Sequence, residues 1–99
     1  MENTMIREGN RLTVKMEGRL DATTSNRIET ELLASLDGVT ELILDMEKLE
    51  YISSTGLRAL LSTEIAMNEQ GTMELAHVSD EVMMVLEVTG FAKMLTIRK

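Results

Sequence analysis

Ninety-nine residues are enough for one compact domain with one core and too few for two. An apolar share of 43% argues for a folded chain, and a net charge of -7 argues against nucleic acid as main partner, because phosphate backbones need clustered Lys and Arg. The lack of cysteine excludes disulfides, thiolate nucleophiles and cysteine metal sites.

No apolar run approaches the ~20 residues of a membrane-spanning helix, so no membrane insertion is expected. The start MENTMIREGN is polar, without the apolar stretch of a signal peptide, and the cysteine-free composition suits a reducing cytoplasm. Only Tyr51 and Phe91 are aromatic, so the core must come from Leu, Ile, Val and the nine Met. Methionine fills irregular gaps but specifies packing less tightly than branched residues do.

In chain order, MIRE followed by Gly9-Asn10 predicts a short first strand and a turn. In RLTVKMEGRL, Leu12, Val14 and Met16 alternate with polar residues, the period of a half-buried strand. Residues 21–25 form a polar link rich in helix-capping types. Ile28, Leu32, Leu33 and Leu36 then keep helical spacing, with Asn26 and Glu29 arranged as a capping box and Asp37-Gly38 as the stop. ELILDM carries the continuous apolar run Leu42-Ile43-Leu44, which predicts a central strand covered on both faces. It should end near residue 46 and lead through a loop to a second helix starting near Thr55. Leu57, Leu60, Leu61 and Ile65 mark that helix's inner side, and Gly71 ends it. Alternation returns at Met73, Leu75 and His77. Ser79 caps a third helix, with Asp80 and Glu81 at its positive end; Val82, Val85 and Leu86 form its stripe, and Thr89-Gly90 closes it. MLTIRK is a final edge strand. The order β-β-α-β-α-β-α-β predicts an α/β fold with right-handed crossovers, a hairpin at the start and a partly parallel sheet.

Three features could carry chemistry. His77, the one histidine, is either a strand-end residue or a base for a hydroxyl and carboxylate brought to it by the fold. Asp21, Asp37, Asp45, Glu47 and Glu50 fall at predicted loop positions, where they could gather around Mg²⁺ or stand solvated. ISSTGL, residues 52–57, places Ser53, Ser54 and Thr55 at a helix N-terminus, whose free N–H groups accept a hydroxyl cap or an anion. The cluster is thus open to four readings: a cap supplied by Ser54, a nucleophile, an anion site, or a target for modification.

LILDMEKLEYISSTGLRALL, residues 42–61, resembles the central signature of the STAS domain, in particular the bacterial anti-sigma factor antagonists. That signature is a strand, a short polar link, an aromatic-hydrophobic-Asp-Ser-Ser/Thr-Gly-Leu segment and a helix. GRLDATTS, residues 18–25, resembles the family's Gly-x-Leu-Asp-x-x-Thr/Ser link, and VSDEVMMVLEVTGFAKMLTI, residues 78–97, its closing segment. The resemblance implies one STAS domain over residues 1–99, with a mixed sheet of about four to five strands and three or more helices. It also implies a binding switch with no catalysis and no cofactor of its own. In such systems the unphosphorylated antagonist binds an anti-sigma factor that is also a serine kinase, displacing a sigma factor. The kinase phosphorylates a serine of the antagonist and weakens the complex, and a metal-dependent serine phosphatase resets it. The acceptor position matches Ser54, with Ser53 and Thr55 as alternatives. The implied partner surface comprises Asp21, Ser53, Ser54, Thr55, Gly56, Leu57 and Arg58. The chain departs from the pattern at Ser53, where the family has Asp. One rival is a STAS subunit of a lipid-transport or stressosome-like complex that acts by binding without phosphorylation. A rival of another class is an enzyme with Ser54 or Ser53 as nucleophile, for which only His77 could serve as base.

Overall fold

A computed structural model describes residues 1–98. Strand β1 (Glu2–Glu8) pairs antiparallel with β2 (Arg11–Leu20) across a turn in which Gly9 takes φ +63. The hairpin is longer than MIRE predicts, because its polar first residues join the ladder and Glu2 faces Glu17. Helix α1 (Ser25–Ala34), β3 (Glu41–Ile52), α2 (Ser54–Asn68), β4 (Thr72–Ala76), α3 (Asp80–Val88), a single 3-10 turn (Phe91–Lys93) and β5 (Thr96–Ile97) come next along the chain. The five strands lie in the order β1-β2-β3-β4-β5, and every neighbour pair after the hairpin is parallel. This is the mixed sheet that the pattern of elements predicts. The expected last strand pairs only over Thr96 and Ile97, and its residue Lys99 lies outside the described residues.

Each helix links a strand to the next one over in the same direction. Right-handed crossovers of that kind place all three helices on one face of the sheet. Burial agrees: Leu12, Val14 and Met16 of β2, Leu42, Leu44 and Met46 of β3, and Met73 and Leu75 of β4 are buried, while Thr13, Ile43 and Glu74 between them are only partly covered. The prediction of a strand covered on both faces is therefore wrong for β3. It is central in the sheet, yet Ile43 lies on an open face, and three apolar residues in a row do not reveal which side is covered. That open face carries the ion pairs Arg11–Glu41 at 3.0 Å and Arg98–Glu74 at 2.8 Å. The covered face meets Ile28 and Leu32 of α1, Leu57, Leu60 and Met67 of α2, and Val82 and Leu86 of α3. Each such side chain stabilises the fold by about 1.5–3 kcal/mol relative to exposure.

Several local expectations are corrected. The capping box at Asn26 and Glu29 does not form: α1 starts at Ser25, Thr24 precedes it without a side-chain cap bond, and Asn26 sits inside the first turn. The helix also ends at Ala34, ahead of Asp37-Gly38, and Leu33 is exposed. In α2, Leu61 is only partly buried and Ile65 is 58% exposed, while Ala59 and Thr63 face inward. Thr63 tolerates this because its hydroxyl donates to the Ala59 carbonyl at 2.8 Å. Gly71 does stand just past the end of α2: a Cβ there would lie 1.9 Å from the Thr40 carbonyl oxygen, so no other residue fits that crossing unaltered.

The largest difference concerns β3. It continues through residues 47–52, where a loop is expected from the sequence, so Asp45, Glu47 and Glu50 are strand residues. Register shifts between Lys15 and Glu17 and between Gly18 and Arg19 let β2 keep pace, pairing Glu17 with Lys48 and Leu20 with Ile52. Such bulges break the two-residue alternation by which a strand is recognised.

Candidate functional site

Strands β2 and β3 end side by side, and the Ser53 N–H donates to the Leu20 carbonyl at 2.9 Å as the chain turns into α2. Ser53 is still extended, with φ -98 and ψ 177, and its Oγ accepts from the Gly56 N–H at 3.3 Å. Its carbonyl accepts the first helical bond, from the Leu57 N–H at 2.9 Å. Ser53 is therefore the cap, and Ser54 is the first helical residue. The expectation that Ser54 caps the helix is corrected by one position. Gly56 is required by packing: an added Cβ would stand 2.8 Å from the Leu20 carbonyl oxygen and 2.9 Å from the Ile52 and Leu20 side chains.

The three hydroxyls are thereby sorted. Ser53 Oγ and Thr55 Oγ1 lie 2.7 Å apart in a hydrogen bond, and Thr55 also donates to Ser25 Oγ at 3.4 Å. Ser25 is 2% exposed and donates in turn to the Asp21 carbonyl. Ser54 is exposed, and its hydroxyl takes no hydrogen bond among the described residues. Of the other residues in the implied partner surface, Gly56 and Leu57 are buried, Asp21 is partly buried and Arg58 is exposed. Leu57 thus serves the core and leaves Ser54 and Arg58 as the outward side chains of this turn.

Asp21 organises the neighbouring loop. Its Oδ1 accepts from the Thr23 hydroxyl at 2.7 Å and the Thr23 N–H at 3.0 Å, while its own N–H donates to Thr24 Oγ1 at 3.0 Å. The Thr23 bonds hold the Asp21 carboxyl below the usual aspartate range. Arg19 lies 3.8 Å from Asp21 Oδ2, and its guanidinium stacks 4.2 Å from the Tyr51 ring, its partner across the β2–β3 ladder. Sequence reasoning missed Ser25, Arg19 and Tyr51. The signal for Arg19 and Tyr51 is register, since residues just before two parallel strand ends become neighbours.

The remaining candidates lie elsewhere. His77 stands just after β4 with φ +55, a left-handed conformation uncommon outside glycine, and its Nδ1 pairs with Asp45 Oδ1 at 3.0 Å. Asp45 also accepts from the Glu47 N–H at 3.0 Å; burial is the strongest single influence on its carboxyl and raises its pKa, but the Glu47 and His77 bonds with the nearby His77 and Lys15 charges together hold it below the usual aspartate range. Asp45 precedes Ser53 by eight residues of strand. At ~3.3 Å per residue that is roughly 25 Å, far beyond the reach needed for His77 to take a proton from Ser53 or Ser54. Asp37 is exposed, and among the described residues no three His, Asp or Glu side chains gather as metal ligands.

The STAS domain family model matches residues 3–99. A Bordetella bronchiseptica protein named as an anti-sigma factor antagonist, BtrV, is 32% identical over 93 residues, covering 92% of this chain and 80% of its own. The anti-sigma-B factor antagonist of Staphylococcus aureus is 29% identical over 89 residues, covering 87% of this chain and 82% of its own. The Bacillus cell fate determinant SpoIIAA, solved in its phosphorylated form, superposes with a TM-score of 0.75 at 17% identity, over 99% of this chain and 92% of that one. With the hairpin, the one-sided helical layer and the hydroxyl-capped second helix in place, the chain belongs to the STAS domain family.

Proposed function

We propose that this chain acts as a single STAS domain of the anti-sigma factor antagonist type. It binds an anti-sigma factor that is also a serine kinase, releases a sigma factor, and is switched off by phosphorylation at Ser54. A serine phosphatase restores the active form. The switch is cytoplasmic and performs no catalysis of its own. The observation that carries the reading is the sorting of the hydroxyls: Ser54 points outward, with no partner among the described residues, between two hydroxyls already engaged. A phosphate there adds about -1.5 to -2 charges at a helix start, where the macrodipole favours negative charge. A helix start can therefore carry the modification while the surface shown to a partner gains strong negative charge. The names of the relatives and the phosphorylated form of SpoIIAA support the same assignment.

The departure at Ser53 fits this reading. The residue before the acceptor occupies the cap position, and Ser and Asp are about equally good caps. Ser53 keeps the backbone bond and the helix start while omitting one negative charge beside the acceptor. The enzyme alternative gains no support from His77, which with its partner Asp45 stands roughly 25 Å along β3 from Ser53.

Calorimetry tests the proposal, using the anti-sigma factor kinase encoded nearest this chain. Unmodified protein should bind, the phosphorylated protein should bind at least tenfold more weakly, and Ser54→Ala should bind as wild type does in the presence of ATP and resist the weakening. Equal affinity of modified and unmodified protein would favour a STAS subunit that acts without phosphorylation.

A further inference from the structure

We propose that Arg58 is an internal clamp for the phosphate on Ser54, so that modification withdraws an otherwise uncommitted guanidinium from the partner-facing surface. The inference rests on the assignment of Ser54 as acceptor and adds how the added charge is read.

Ser54 and Arg58 stand four residues apart on α2, and both are exposed. Residues at that spacing lie one above the other on a helix. Helical side chains lean toward the N-terminus, so the long Arg58 side chain extends over the turn that begins with Ser54. The order is also the favourable one, with the anion N-terminal to the cation.

Arg58 is uncommitted. It makes no ion pair or hydrogen bond among the described residues. The residues three and four positions from it on α2 are Ser54, Thr55, Leu61 and Ser62, none of them acidic. The other arginine near this end of the sheet, Arg19, is occupied by Asp21 at 3.8 Å and the Tyr51 ring at 4.2 Å. Contrast Arg27 on α1, which already holds Glu31 at its own i+4 position at 3.0 Å. On α2 the acidic member of such a pair is missing and a hydroxyl stands in its place. Phosphorylation would supply it. A guanidinium meets phosphate oxygens with two parallel N–H donors, as it meets a carboxylate, but the phosphate brings about -1.5 to -2 charges and three acceptor oxygens where a carboxylate mimic brings one charge and two.

The test places phosphoserine at position 54 by codon suppression and tracks the second phosphate ionisation by ³¹P NMR. With Arg58 present the dianion is favoured, so its pKa should lie roughly 0.3–0.7 unit below that of the same protein carrying Arg58→Gln, as expected of an exposed pair. High salt should shrink that difference. Arg27→Gln should leave the phosphate pKa unchanged, and Arg58→Lys should recover part of the shift. Equal pKa values with Arg58 and with Gln at that position would overturn the clamp, provided circular dichroism shows both folded. Because the phosphoserine is installed during translation, without the kinase, this outcome is separate from the acceptor assignment: a kinase that modifies another residue would refute that assignment and leave the ionisation result standing.

Discussion

Two helices of this molecule begin with the same cap and differ in the residues just after it. α2 starts Ser53-Ser54-Thr55-Gly56 and α3 starts Ser79-Asp80-Glu81-Val82. Each cap serine is extended, and each accepts from the N–H three residues on: Gly56 at 3.3 Å and Val82 at 3.2 Å. α3 then carries Asp80 and Glu81 in its first turn, a permanent complement to the helix dipole, whereas α2 has no acidic residue there. Where α3 has Asp80, α2 has Ser54. One helix start is charged by its sequence, the other is neutral and chargeable. The third position differs for a packing reason, since Val82 points into the core while Gly56 lies against the Leu20 carbonyl.

The largest expected effect comes from making α2 resemble α3 at that third position. Gly56→Val drives a side chain into backbone at 2.8 Å, with no flexible group to yield. A loss of about 1–3 kcal/mol in urea unfolding is expected, the range of overpacking with backbone displacement. A loss below ~0.5 kcal/mol, ordinary for a neutral surface change, would show that the close approach is not rigid.

Removing the caps should give unequal costs. Ser79→Ala loses one cap, about 1 kcal/mol. Ser53→Ala loses the equivalent cap and also the 2.7 Å bond to Thr55, so it should cost more by roughly 0.5–1.5 kcal/mol. Equal losses would mean the hydroxyl chain through Thr55 and Ser25 adds nothing. Ser53→Asp keeps the cap and should change stability by only a few tenths of a kcal/mol. Its effect should appear in the rate of phosphorylation.

Ser54→Asp copies the first helical residue of α3 onto α2. It should raise stability by about 0.3–1 kcal/mol at low salt, a gain that fades as salt is added, while weakening partner binding. A stable variant with unaltered affinity would separate charge from signalling.

The smallest effect is on pH dependence. The folded pKa of Asp21 is depressed, so its contribution is present above the usual aspartate range and lost as pH falls through the lower folded value. Asp21→Asn should remove that acid limb from the stability profile. Glu64 has the opposite sign: burial raises its pKa, and one of its carboxylate oxygens is buried without a partner among the described residues. Glu64→Gln should therefore be favourable near neutral pH, with the advantage vanishing once acid protonates the native glutamate. NMR titration of the two carboxyls checks both signs.

Local physics sets how much of this is legible in the sequence. The start of α3 is readable in full, because a serine before two acids has one sensible role. The start of α2 is readable only to within a residue, since three adjacent hydroxyls could each cap, and only the backbone at Ser53 decides among them. Helical spacing points Ile65 of α2 inward, and the fold does not: the small Ala59 and the polar Thr63, its hydroxyl satisfied by the Ala59 carbonyl, take the buried positions that an apolar count does not assign to them. The extension of β3 to Ile52 is hidden by bulges within β3 itself, where an extra residue at each register shift breaks its alternation, and with it the meeting of Arg19 and Tyr51. The parallel sheet itself is plain from the alternation of elements. The acceptor assignment rests on family resemblance, and the fold adds the physical reason Ser54 differs from its neighbours.

The central claim is that Ser54, alone of the three hydroxyls, is available for charging. Incubation with the kinase partner and Mg·ATP, then intact mass measurement and peptide mapping, tests it directly. A single phosphate is expected, on Ser54, and none on Ser54→Ala. Phosphate on Ser53 or Thr55, or an unmodified chain beside a kinase active on another substrate, would contradict it.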